Sequence, residues 1–347
     1  MDLETIRQLT QNMKQVNENN TDNLNSEEEA AKLFNLAYDY EEGNGVPKDN
    51  QKAFELFQKA ANLGDINAMF ETGAHYYFGK GTPQDTSQAF AWCKKAAEKG
   101  QIYAMDWIGE CYRDGEGVVQ NIQKAIEWFE KSAEGGNGWA SLNLGRMYRD
   151  GTGVNKDFAK ARSWFKKSAK VNDAGSANAL IELGDMYSDG IGVEANVRQG
   201  IEYYQKAANL GNSFALVRLG DLYLYDERVR NHAKAFEMYK NAAELGNSYG
   251  FGGLGSMYYS GCHVEENYSK AVEFFEKAVK LDETNCKALK DLAFCYRCGD
   301  GVRKDYSKAF ELYKQAAECG DGEAMYKISQ MYEFGEGFEQ DLISLKN

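Results

Sequence analysis

A chain of 347 residues with 43% hydrophobic and 13% aromatic side chains can bury a large core and is not a disordered polymer. Its net charge of −13 weighs against nucleic acid and against anionic membrane surfaces, both of which reward a basic face. Two prolines beside 35 glycines point to helices interrupted by glycine turns.

In residues 1–17, Leu3, Ile6, Leu9, Met13 and Val16 recur at helical spacing, and the polar run "NENNTDNLNSEEE" follows. We read residues 1–26 as an amphipathic segment with a polar linker, and 27–347 as the repeat array. Ser26 and Glu29 form a candidate capping box at its start. The short helix is expected to cover the apolar face that a terminal repeat exposes; lying in a groove or engaging a partner are the alternatives. The segment opens acidic and lacks the apolar run of a secretory signal, and no stretch reaches the ~18 apolar residues of a bilayer span. The seven cysteines are an odd set without fixed spacing, which predicts reduced thiols and a cytoplasmic protein.

From Lys32 onward the chain repeats itself. The triplets at 59 (KAA), 95 (KAA), 131 (KSA), 167 (KSA), 206 (KAA), 241 (NAA), 277 (KAV) and 315 (QAA) are spaced by 36, 36, 36, 39, 35, 36 and 38 residues. Eight full units over about 32–323 and a partial unit at 324–347 account for the rest of the chain. Each reads as helix, glycine turn, helix. In the unit at 104–139, Ala104, Met105, Ile108, Cys111 and Tyr112 share one helical face, and "DGEGV" ends that helix. A second helix opens near Asn121, a suitable cap, and buries Ala125, Trp128, Phe129, Ser132 and Ala133. The position of Phe129 recurs as Phe57, Phe165, Tyr204, Tyr239, Phe275 and Tyr313, with Cys93 as the exception. Tyr148 is expected in the core.

The pattern Ala140-x3-Leu144-Gly145-x2-Tyr148-x2-Gly151-x-Gly153-Val154-x2-Asp157-x2-Lys160-Ala161, closed by Lys167-Ser168-Ala169, resembles the Sel1-like repeat, a relative of the tetratricopeptide repeat. The resemblance implies an all-α, right-handed superhelical α/α solenoid. It also implies protein–protein interaction, in settings that include scaffolds, quality-control adaptors, host-interaction factors and toxin-neutralising immunity proteins. The fifth unit departs with Gln199-Gly200, and the sixth has "YDERVRNH" in place of the glycine turn. Residues 278–293 look more like a tetratricopeptide junction.

The glycine pairs are therefore punctuation; a phosphate loop occurs once, between a strand and a helix. "GFGGLG" at 250–255 matches a dinucleotide fingerprint by letters but lies inside a first helix, where its glycines weaken the helix and admit a hinge. Cys295-x-x-Cys298 and Cys286 share one helix, with Cys286 and Cys298 ~18 Å apart at 1.5 Å per residue, too far to share a metal. His75, His232 and His263 fall in three different units, His75 in a core slot. No nucleophile, base and orienting group are assembled, so no catalytic, cofactor or metal residues are assigned and no enzyme is expected. A hydrolase or binder of cell-wall-like molecules is the rival reading that the family raises.

If first helices line the concave side, as the resemblance implies, positions three, four, seven and ten of each unit face a groove. These select Phe70; Trp107, Glu110 and Arg113; Leu142, Arg146 and Arg149; Ile181 and Asp185; Val217, Arg218 and Asp221; and Tyr326. Tryptophan and arginine dominate binding hot spots, whereas the aliphatics among these residues fit either a groove or a widened core stripe. The expected partner is a segment or domain of another protein. The array is expected to be monomeric, with self-association through the incomplete last unit as the alternative.

Overall fold

The computed structural model describes residues 26–171 and 173–337. The amphipathic stretch at 1–17 and residues 338–347 of the partial last unit lie outside the described residues. Helix α1 covers 26–42. It is followed by α2 (Asn50–Asn62), α3 (Ile66–Phe78), α4 (Thr86–Glu98), α5 (Ile102–Asp114) and α6 (Ile122–Glu134). Next come α7 (Gly138–Asp150), α8 (Phe158–Ser168), α9 (Ala174–Asp189), α10 (Val197–Asn209) and α11 (Ser213–Tyr225). The chain continues with α12 (His232–Glu244), α13 (Ser248–Ser260), α14 (Tyr268–Leu281), α15 (Cys286–Cys298), α16 (Tyr306–Glu318) and α17 (Gly322–Phe334). No strand occurs among the described residues. The fold is an all-α repeat solenoid, in which odd-numbered helices are the first and even-numbered the second of each repeat. It divides into two compact units, Met1–Ser176 and Ala177–Asn347.

Local chemistry sets each boundary. Every second helix from α2 to α16 opens on Asp or Asn, whose side chain accepts the backbone N–H three residues on, as Asn121 does from Lys124 at 3.0 Å. The cap's own N–H donates back to a tyrosine carbonyl of the preceding helix; Asn121 to Tyr112, Asp157 to Tyr148 and Asn267 to Tyr258 are examples. The first helix of the pair stops where glycine takes the left-handed conformation, as at Gly115 with φ 80°. The second glycine of that turn, Gly117 (φ 68°), lies against the first turn of α4; a β-carbon there would sit 2.3 Å from the Thr86 carbonyl oxygen. Glycine-x-glycine thus both ends a helix and seats one repeat on the last.

Within a repeat, the recurring aromatic is packed against a small residue. Phe57, Phe129, Phe165, Tyr204, Tyr239, Phe275 and Tyr313 are all buried, and Cys93 fills the same slot. Gly109, Gly145, Gly184, Gly220 and Gly255 lie so near their partner rings that a β-carbon would come within 2.4–2.7 Å of ring carbon. Small residues let the two axes approach while rings fill the gap. The helix carrying "GFGGLG" runs unbroken from Ser248 to Ser260, so Gly250, Gly253 and Gly255 serve close packing and no break marks a hinge. Gly253 adjoins the Tyr239 ring of the previous repeat, at 2.4 Å for a β-carbon.

Two core expectations divide. His75 is buried in its core slot, with Nδ1 2.7 Å from the Lys80 carbonyl. Tyr148 is only half-buried: its ring lies beneath the Lys160 ammonium at 5.1 Å. The lysines that mark the period have a similar role, since Lys95, Lys131 and Lys167 cover Trp92, Trp128 and Trp164 one turn earlier at 4.2, 4.4 and 4.8 Å.

Candidate partner-binding face

The first-helix face is polar, and much of its polarity is directed at itself. In the first unit, the Tyr38 hydroxyl donates to Glu71 (2.7 Å) and the Tyr77 hydroxyl to Glu116 (2.9 Å), while the Asn143 amide reaches Glu110 at 3.5 Å. In the second unit, Asp185 accepts from both Arg218 and the Tyr204 hydroxyl, and Asp221 accepts from the Tyr239 hydroxyl at 2.7 Å. Lys290 pairs with Glu323 at 2.7 Å, and Arg297 with Glu336 at 2.6 Å. Most of these contacts span 33 to 39 residues, so they stitch one repeat to the next.

The selected residues fall into three groups on this face. Leu142, Ile181 and Val217 are 0%, 7% and 5% exposed, so the aliphatics belong to the interior and leave the partner-facing set. Their stripe is broad because successive first helices also touch, as α11 and α13 do. Asp185, Arg218 and Asp221 are half-buried and already engaged within the second unit. Phe70, Trp107, Glu110, Arg113, Arg146 and Arg149 stay half-open in the first unit, and Tyr326 is 60% exposed on α17.

The first-unit group lies on α3, α5 and α7. Trp107 meets Tyr77 edge-to-face at 5.6 Å. Arg113 grips its neighbour Asp114 through two hydrogen bonds (2.8 and 2.7 Å), and Arg149 does the same with Asp150. These pairs hold the guanidiniums at the end of each first helix. Two turns before Arg113 on α5 lies Asp106, whose Oδ1 is buried without a hydrogen-bond partner. Burial pushes its carboxyl up to about 7, with Glu110 adding to the rise and Arg113 and nearby amides opposing it. Glu110 is raised for the same reason.

Burial raises the thiols of Cys93, Cys111 and Cys295, the last to about 12, so they stay protonated. All seven cysteines are free thiols. Among the described residues, no three His, Cys, Asp or Glu side chains converge as metal ligands, and no helix is long and apolar enough to cross a membrane.

The Sel1 repeat matches nine consecutive segments: 33–65, 66–101, 102–137, 140–173, 177–212, 213–247, 253–283, 286–321 and 322–344. The chain belongs to the Sel1 repeat family. Among solved structures, this Sel1 array is similar to c5321, a protective antigen of uropathogenic Escherichia coli with the same repeat fold. Identity is 31% and the TM-score 0.65, over 90% of this chain and 66% of the antigen. A Sel1 repeat protein of Oxalobacter formigenes matches at 31% identity and a TM-score of 0.62, over 74% of this chain and 100% of that one. Yeast Tom70, at 18% identity and a TM-score of 0.51 over 84% of this chain and 60% of its own, shares the fold alone. Curated proteins give no match. Sel1 repeats are protein-interaction modules, and the match supports protein binding by this array.

The cross-repeat bridges of this face are not legible from single residues. The signal lay in opposite charges 33 residues apart, as in Asp185/Arg218 and Lys290/Glu323.

Proposed function

We propose that the protein is a non-enzymatic cytoplasmic adaptor whose first-helix groove holds a segment or domain of another protein, assembling or inhibiting a complex. The observation that carries this is that Trp107, Glu110, Arg113, Arg146 and Arg149, on the successive first helices α5 and α7, all stay half-open. An aromatic anchor among arginines is the composition of a binding hot spot. The free thiols fit a reducing compartment. Affinity capture with the wild type beside the Trp107→Ala/Arg146→Ala double variant tests the reading. The folded double variant loses its main partner; retention of every partner refutes the assignment. Light scattering at two concentrations separates a monomeric adaptor from a self-assembling array.

A further inference from the structure

Two departures from the repeat pattern meet at one place in the second unit. The turn between α11 and α12 covers 226–231, one residue shorter than the other turns (115–121, for example), and begins at Asp226 in an extended conformation where its counterparts have left-handed glycine. The next first helix, α13, carries Gly252 and Gly253 at the two groove positions where the preceding units place Phe70/Glu71, Leu142/Asn143 or Val217/Arg218. A β-carbon on Gly252 would meet only the Ala288 methyl, at 4.0 Å. One turn further along α13 a cavity of about 460 Å³ opens, bounded by Tyr225 and Arg230, by Ser256 and Tyr259 of α13, and by Asp291 and Phe294 of α15. That is the size of a small-ligand or side-chain pocket.

Asp291 is the only carboxylate of its lining. Its hydrogen bond from the Ser256 hydroxyl is long, at 3.4 Å. The nearest lysines are shared with other groups: Lys290 is held by Glu323 (2.7 Å) and Asp321 (3.4 Å), the Lys287 ammonium lies over the Tyr225 ring at 5.6 Å, and from there both only ease the charge on Asp291. Asp291 therefore makes no close ion pair among the described residues, in a pocket walled by aromatic rings. Burial raises its carboxyl to about 6, so at neutral pH it is mostly an anion stripped of water. Such a charge gains most from a cation that is itself weakly hydrated and flat enough to lie on a ring face, which describes a guanidinium and not an ammonium. Of the other lining residues, Arg230 and Lys287 are exposed and carry positive charge, Arg230 shared with Glu227 at 3.3 Å, which favours acidic residues flanking the incoming cation.

We propose that this cavity receives one arginine side chain of the bound partner segment, its guanidinium paired with Asp291 and stacked on Phe294 or Tyr259, with acidic residues on either side of that arginine meeting Arg230 and Lys287. The proposal rests on the reading of the first-helix face as the partner-binding face, and adds the chemistry of the partner.

Calorimetric titration of the full chain at pH 7.5 with the blocked tripeptide Ac-Glu-Arg-Glu-NH2 tests it, beside versions with norleucine or lysine in the centre. The arginine peptide binds saturably. The norleucine peptide binds at least tenfold more weakly, and the lysine peptide several-fold more weakly. Asp291→Asn reduces arginine-peptide binding at least tenfold and leaves the norleucine peptide unchanged. Ser260→Trp, at the exposed rim, blocks the arginine peptide without touching Asp291 and serves if Asp291→Asn unfolds. No binding by the arginine peptide, equal binding of the norleucine or lysine peptide, or full binding by Asp291→Asn overturns the proposal. The Trp107→Ala/Arg146→Ala variant lies in the first unit and binds the tripeptide as wild type does. A failed capture experiment and a failed arginine site are thereby told apart.

Discussion

Gly145 on α7 faces the Phe165 ring of α8 so closely that a β-carbon on it would lie 2.4 Å from Cε1. The contact is the unit of construction of the array, repeated with Phe129, Tyr204, Tyr239 and Phe275 in other repeats. It explains why a helix-weakening residue stands in the middle of so many helices here: the loss of propensity is smaller than the gain from bringing two helices together over a buried ring.

Gly145→Ala is therefore expected to destabilise the protein. The added methyl overpacks a closed contact, which costs about 1–3 kcal/mol, and the better helix propensity of alanine returns about 1 kcal/mol. Urea unfolding should show a lower midpoint at unchanged slope. A midpoint equal to or above that of wild type would show that the ring yields freely.

Gly252→Ala should have the opposite sign. Its β-carbon meets only Ala288 at 4.0 Å, so the propensity gain of about 0.5–1 kcal/mol stands unopposed. The same denaturation series reads it; destabilisation would mean that the space beside Gly252 is already filled.

Phe165→Ala and Tyr148→Ala separate the two aromatic positions of one repeat. Phe165 is fully buried, and its truncation should cost about 3–5 kcal/mol. Tyr148 is half-buried under Lys160, and its loss should cost about half as much. Equal losses would place Tyr148 in the core after all.

Asp106 links stability to pH. Its carboxyl titrates near 3.8 when unperturbed and at about 7 in the fold, so folding favours the protonated form. That contribution is complete below about pH 4 and is lost as pH rises through 7, an effect on the order of a few kcal/mol. Asp106→Asn stays neutral throughout. It should raise Tm at pH 8 and change it little at pH 4.5; a lowered Tm at pH 8 would mean the ionised carboxylate is needed.

Arg218→Ala removes one partner of the Asp185 pair and leaves that half-buried carboxylate with the Tyr204 hydroxyl. A loss of about 1–3 kcal/mol is expected. Arg218→Lys should not restore it, because a lysine lacks the planar group that lies over the Tyr204 ring at 5.8 Å. Full rescue by lysine would reduce the interaction to charge alone.

The period, helix pairs, turn glycines, capping Asp and Asn residues and ring positions were legible in the sequence, because each follows from interactions within one repeat. Gly115 ends α5, Asn121 opens α6 and Phe129 is buried for local reasons that recur about every 36 residues. The fate of the first-helix face was decided only by tertiary structure. Leu142, Ile181 and Val217 occupy the same register as Phe70, yet they are buried; beside Val217 the next first helix, α13, packs against α11. Arg218 was chosen for a partner but is bound to Asp185, and Asp291, never singled out, lines a cavity made by three repeats. Which side chains are enclosed and which charges meet depends on the spacing of one repeat against the next. A helical period describes a single helix and carries no information about that distance.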